Sequence, residues 1–215
     1  MLSSKEVDGQ QKCCPFFYSP ERTVRALAVN LYIDASHAIG VVNDLAKKLA
    51  PGQANELLRL TLVDVGRKSK TIMSDHVVED YVVPRGWVAG QIGHPKMRGL
   101  TVIIPVRGSR GGIGQIYPIA GYSGSGKKRR VRANIVRSGV STLPVTMDHQ
   151  GGNPPFIAKG KVFTRKTKSP RPIVRVVGLA VPQMPMNRSK AKIENSLLEE
   201  MEKSATRHFG RLFGG

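Results

Sequence analysis

The sequence predicts an α+β protein: an N-terminal strand and two helices, a small antiparallel sheet with long Gly/Arg-rich loops, and a C-terminal helix. Three observations predict this class. Apolar residues near the front of the chain alternate with a period of two. They then recur at helical spacing through two consecutive segments. Short β-like runs broken by Gly and Pro follow, before a last amphipathic segment.

Residues 1–20 read as a weakly ordered leader, and 21–215 as a single domain whose middle, 84–155, is basic and rich in loops. In Thr23–Ile33 (TVRALAVNLYI), Leu27, Val29, Leu31 and Ile33 face one way and Ala28, Asn30 and Tyr32 the other, the pattern of a half-buried strand. Asp34 or Ser36 then caps a helix with Ala38, Val42, Leu45 and Leu49 on one stripe. Pro51-Gly52 interrupts that helix. Pro51 is suited to the first position of a second one, which runs to about Tyr81 with Leu58, Leu62, Val65, Ile72 and Met73 at helical spacing.

After Val83-Pro84 the texture changes. LTVIIPV (100–106) reads as a strand that Pro105 confines to an edge or an end. RGSRGGIGQ (107–115) and GYSGSGKKRRVR (121–132) read as turn regions. FIAKGKVFTRK (156–166) and PIVRVVGLAV (172–181) read as two strands of a hairpin joined by the basic turn TKSPR. VPQMPM blocks extension of the second strand. Asn187 or Ser189 then caps a last helix with Ile193, Leu197, Met201, Ala205 and Leu212 on one face. Its acidic first half and basic end suit the helix dipole.

The 215 residues carry a net charge of +19, and its distribution is uneven. Between Val82 and Ile193 stand 21 Lys and Arg and a single acid, Asp148; elsewhere acids and bases nearly cancel. Self-repulsion of this size weakens a compact state unless a polyanion or an acidic protein surface screens it. No apolar run approaches the roughly 20 residues needed to span a bilayer, so no membrane partner is expected. The polar N-terminus lacks the layout of a signal peptide, which points to a cytoplasm. Cys13 and Cys14 are adjacent and have no second pair to complete a metal site, so they read as free thiols.

The stretch GYSGSGKKRR (121–130) raises the question of a phosphate-binding loop, because Gly121, Gly126 and Lys127 match G-x-x-x-x-G-K. Lys128 occupies the position of the metal-binding hydroxyl, and positive charge is stacked where a helix would have to start. The five histidines (37, 76, 94, 149, 208) are scattered without metal spacing, and His37 and His76 read as partly exposed helix residues. Asp148-His149 lacks an identified nucleophile, and Gly121–Ser125 lacks the final glycine of a nucleophile elbow. The reading is therefore non-enzymatic: no catalytic residue, no cofactor and no metal.

Two basic clusters remain as candidate contact sites for DNA or a protein partner. One is Lys127, Lys128, Arg129, Arg130, Arg132 and Arg137; the other, at the hairpin turn, is Arg165, Lys166, Lys168 and Arg171. Such clusters neutralise phosphates without reading sequence, and few aromatics accompany them. A basic nucleic-acid-binding protein, ribosomal or chromosome-associated, is thus one reading.

A second reading comes from a resemblance. The Pro-led helix PGQANELLRLTLVDVGRKSKTIMSDHVVEDYVV, the Gly/Arg-rich middle and LPV at 143–145 resemble the phage minor tail protein Z, or tail-completion (neck), family. So does FIAKGKVFTRKTKSPRPIVRVVGLAVPQM leading into a C-terminal helix. The similarity of pattern covers roughly Val24 to Phe213; the leader and the alternating first strand depart from it, the strand resembling related neck proteins. The resemblance implies a structural protein of the virion that is assembled in the host cytoplasm. It would complete the head-proximal end of the tail and help join tail to head. It also implies a homo-oligomeric ring, expected to be a hexamer. The implied partners are a tail terminator, head-tail connector or tube protein, and packaged DNA in the channel.

Overall fold

The computed structural model describes residues 27–34, 49–108, 110–126, 129–143, 154–165 and 173–213. The leader with Cys13 and Cys14, the helix expected over 36–49 with His37, and Asp148-His149 lie outside the described residues. The class is α+β, with three helices and several small antiparallel sheets among the described residues.

Helix α1 spans Pro51–Asp80 and begins on the proline, as its sequence predicts. The side-chain oxygen of Gln53 accepts the Ala50 N–H (3.3 Å), satisfying one group at the helix start. The helix buries a row at every fourth position: Leu57, Thr61, Val65, Ser69, Met73 and Val77. The polar members of this row satisfy themselves locally. Thr61 Oγ1 donates to the Leu57 carbonyl (2.8 Å) and Ser69 Oγ to that of Gly66 (2.7 Å). Leu62 is fully buried as expected, whereas Leu58 and Ile72 pack half-buried on the rim of the core.

The short helix α2, Arg85–Gln91, buries Val88. The C-terminal helix α3, Lys190–Phe213, buries Ile193, Leu197, Met201 and Ala205, again at every fourth position. Leu212, expected on the same face, is exposed. Cross-helix pairs Asp64–Arg207, Lys68–Glu200 and Asp80–Lys192 show that α1 and α3 pack antiparallel.

Eleven strands accompany these helices among the described residues. Strand β1 (Leu27–Asp34), expected from the alternating pattern, pairs antiparallel with β3 (Thr101–Gly108), whose other side takes the short β2 (Lys96–Arg98). Thus β3 is a central strand, which corrects the edge placement that Pro105 implied. Pro105 is tolerated because β2 pairs only with Thr101–Ile103. On that side the Pro105 carbonyl accepts Gly93 N–H (2.8 Å), and the missing proline N–H faces the same way, beyond the end of β2.

The basic middle, read as loops, also contains strands. RGSRGGIGQ includes β4 (Arg110–Gly112), and GYSGSGKKRRVRANIV folds into β5 (Ile119–Ser123) and β6 (Arg130–Val136), with β7 (Gly139–Thr142) beyond. The expected hairpin forms between β9 (Lys161–Arg165) and β10 (Ile173–Arg175), but its first strand is itself divided. β8 (Phe156–Ala158) turns into β9 through Lys159 and Gly160, both at positive φ, the tight turn that suits a hairpin. After β10 the chain leaves this sheet, and β11 (Val177–Ala180) pairs with β4. A 3-10 turn at Val181–Gln183 with buried Pro182 ends the strand, as VPQMPM implied.

One continuous apolar cluster joins α1 and α3 to Val102, Ile104 and Val106 of β3, Val131, Ala133 and Ile135 of β6, and Val162 of β9. Tyr117 is fully buried within it and donates its hydroxyl to the Leu179 carbonyl (2.7 Å); burial pushes its ionisation far above the usual range.

The polar flank of the α1–α3 seam is held by two aspartates. Asp64 receives His208 Nε2 (2.8 Å), Ser204 Oγ (3.3 Å) and the Arg207 guanidinium. Asp80 receives Lys192 Nζ and the buried Ser189 hydroxyl (2.7 and 2.8 Å). Ser189, a predicted helix cap, therefore spends its hydroxyl on α1. Burial raises both carboxyls, but the hydrogen bonds and cations outweigh it and hold each below the ordinary value of 3.8.

Two tests follow from this packing. A Cβ at Gly114, where φ is +84°, would fall on the Gly160 carbonyl oxygen, while the position of Gly210 is open on α3. Gly114→Ala should cost about 2–4 kcal/mol and Gly210→Ala should be neutral or gain up to about 1 kcal/mol in denaturant titrations. Because the folded carboxyls are depressed, the seam contributes fully above the ordinary aspartate value and loses its contribution as pH falls through the lower folded values. Asp64→Asn should cost about 1–3 kcal/mol near neutrality, with the gap closing between about pH 5 and pH 2 in melting curves.

Candidate polyanion interface

Strand β6 reads R-V-R-A-N-I-V, and its alternation sends Val131, Ala133 and Ile135 into the core. Arg130, Arg132 and Asn134 take the opposite face and are partly exposed. In register, Ser123 of β5 lies opposite Arg130, and Gly121 of β5 and Thr142 of β7 lie on the two sides of Arg132. Among the described residues Arg130 reaches only a backbone carbonyl, that of Arg129 (3.1 Å). Arg132 makes no hydrogen bond or ion pair within the described residues.

Arg129 stands one residue before the strand and lays its guanidinium over the Tyr122 ring, 3.4 Å from the centroid. Tyr122 in turn accepts the Ile157 N–H at its hydroxyl (3.0 Å), which ties sheet β5–β6–β7 to β8. The neighbouring Phe156 carries Arg165 over its ring at 5.3 Å and packs against Phe163 with centroids 6.2 Å apart. Arg129 and Arg165, from different basic clusters, are thus brought to adjoining sheets, each stacked on an aromatic. Sequence reasoning passed over Tyr122 and Phe156 because neither belongs to a periodic aromatic pattern. The available signal was that each sits at the end of a strand pairing with a basic one.

Arg137 belongs elsewhere. Its Nε donates to the Val78 carbonyl (2.7 Å) and its backbone N–H to that of Asp80 (2.9 Å), so the β6–β7 turn satisfies the last carbonyls of α1. The other candidates, Lys127, Lys128, Lys166, Lys168 and Arg171, lie outside the described residues.

The glycine spacing that suggested a phosphate loop sits in the connection of the β5–β6 hairpin, with Gly121, Gly124 and Gly126 all at positive φ. A strand follows it, so the segment lacks the helix N-terminus on which a phosphate loop depends. The turn region read over 121–132 is correspondingly shorter, since Gly121–Ser123 and Arg130–Arg132 are parts of strands.

A shallow groove lined by Asp75, His76, Val78, Glu79 and Arg137 lies at the end of α1. Its polar groups are engaged within the fold: His76 with Glu79 (3.1 Å) and Ser196 (2.8 Å), Asp75 with Arg85 (2.7 Å), and Glu79 also with Lys192 (3.3 Å). His76 is the partly exposed helix residue expected, and it also acts as a strut between α1 and α3. Among the described residues no group of three or more His, Cys, Asp or Glu is arranged to hold a metal ion, and no helix is long and apolar enough to cross a membrane.

Comparison with protein-family models, with curated proteins and with solved structures finds no match to this chain.

The separate position of Arg137 is testable. Arg137→Ala should lower stability by about 0.5–1 kcal/mol through the end of α1, measured in chemical denaturation. It should leave unchanged the salt dependence of any polyanion binding.

Proposed function

We propose that this chain is a structural virion protein of a tailed phage, one that completes the head-proximal end of the tail and helps join tail to head as part of a neck ring. The role is non-enzymatic. The ring is a homo-oligomer, six-fold in this reading, lying against a tail terminator, connector or tube protein in the virion.

The observation that carries the proposal is the segregation of charge by layer, taken with the sequence resemblance. Among the described residues the ion pairs formed by α1 and α3 join these helices to each other, stay within one of them, or, at Asp75, reach Arg85 of α2. The strands between Lys96 and Ala180 contain no acidic residue at all. Their charge can be compensated only from outside these strands, and the order strand, Pro-led helix, basic β region, hairpin and terminal helix is the order that suggested the neck family. Exposed Met97 and Leu100 at the β2–β3 turn add apolar contact points of the kind a subunit interface uses.

A basic nucleic-acid-binding protein outside any virion is the second reading, and the partly exposed pair Arg130 and Arg132 on β6 favours it. Electron microscopy separates the two. The neck reading expects rings of the purified chain, or its incorporation at the head-proximal end when produced with tail and connector proteins. A monomer that never joins particles yet binds free DNA or RNA tightly, with a steep salt slope, would establish the second reading instead.

A further inference from the structure

The face of sheet β5–β6–β7 turned away from the core has a composition of its own. On β6 it presents Arg130, Arg132 and Asn134; the residues beside the two arginines are Ser123, Gly121 and Thr142. Around the arginines the face offers positive charge, hydroxyls and an amide, with no carboxylate on these strands; the exposed Val140, two residues before Thr142 on β7, is the one apolar side chain at its margin among the described residues. Gly121 has no side chain, so the flank of Arg132 is left open on β5, and Thr142 on the edge strand β7 is exposed.

We infer that this sheet face is a binding site for the phosphate backbone of DNA, with Arg130 and Arg132 as its two cationic contacts and Ser123, Asn134 and Thr142 as neutral donors beside them. The inference deepens the neck reading, in which the DNA is the packaged duplex. Arg, Ser, Thr and Asn side chains are those that position a protein on phosphates without reading bases. A specific protein interface needs an apolar or aromatic anchor in a desolvated centre, and beside Arg130 and Arg132 the described strands offer only Val140 on the exposed edge strand β7, a small anchor at the margin and not at the centre. Two arginines on alternate positions of one strand also stand at a fixed spacing of about 6.6–6.8 Å, set by the strand rise and not by loop motion. The contact surface is thus the strand. The Gly-Ser connection brings its flanking residues nearby, Arg129 is held back by Tyr122, and Arg137 is engaged at the helix end.

The test uses the full chain and a labelled DNA duplex of about 25 base pairs of arbitrary sequence, titrated by fluorescence anisotropy across a salt series. Each phosphate contact contributes about 0.9 to the slope of log K against log salt, so R130Q/R132Q should reduce the slope by close to 2. Lysine at both positions should restore most of it. Thr142→Glu, on an exposed edge position that does not threaten the core, should weaken binding at least tenfold. A control pair on the helical layer, K190Q/K203Q, should leave the slope unchanged.

An unchanged slope in R130Q/R132Q, with the variant folded by circular dichroism and T142E equally silent, overturns the inference. So does a polyglutamate chain displacing the duplex from wild type while failing to displace it from R130Q/R132Q at matched charge concentration, since the face then prefers carboxylate. The neck reading is scored separately by counting joined particles. Normal joining with an unaltered slope would defeat the inference and leave that reading standing. The expected slope change in a protein that never enters particles would do the reverse.

Discussion

Helix α1 has to satisfy different partners along its length, and the rest of the structure is arranged around that requirement. Its buried residues recur at every fourth position, and on a helix of 3.6 residues per turn such a row drifts by about 40° at each step. The buried face therefore spirals, and the apolar cluster it enters takes in both α3 and the strands. Helix α3 buries the same kind of row, and two such ridges set side by side interdigitate. At its last turn α1 needs acceptable partners for its carbonyls, and they come from the β6–β7 turn through Arg137. One thirty-residue helix thus fixes the position of α3 and the height at which sheet β5–β6–β7 meets the core.

The seam between α1 and α3 also governs the charge of everything else. Asp64 and Asp80 are each surrounded by cations and hydroxyls from α3, and Glu79 and Glu200 are paired across the same seam. Acids are scarce in this chain, 15 against 34 bases, and most of those on the two long helices answer helical cations. Little remains for the strands. The positive sheet surface is therefore a consequence of where the acids are needed for packing as much as of how many arginines the strands contain.

How much of this was legible in the sequence depended on the range of the interaction that decides each element. The start at Pro51, the long helix, the hairpin joining β9 to β10, the break at Val181–Gln183 and the terminal helix are decided by neighbours in sequence, and all were read correctly. Strand β6 was readable in principle, since RVRANIV alternates polar and apolar residues, but the charge run before it drew attention to a loop. The turn at Lys159-Gly160 carries no conventional signature, because lysine is seldom found at positive φ. Pro105 was misplaced by a sound rule that ignores which side of the strand is unpaired. The role of Arg137, which reaches back 59 positions to Val78, has no local sign, and neither do the aromatic seats of Arg129 and Arg165.

Assembly would sharpen the electrostatic problem that the single chain already has. In a ring of identical subunits each sheet face approaches its equivalents, and repulsion among them falls off only over about 8–10 Å at ordinary ionic strength. The acids of a neighbouring copy would relieve it poorly, because those on the α1–α3 seam are already paired and, at Asp64 and Asp80, partly buried. A polyanion running through the ring would relieve every copy at once and requires no pairing to be broken. Positive charge carried on rigid strands, such as that of Arg130 and Arg132, is destabilising for a subunit alone, and would become favourable in the proposed ring if it enclosed DNA.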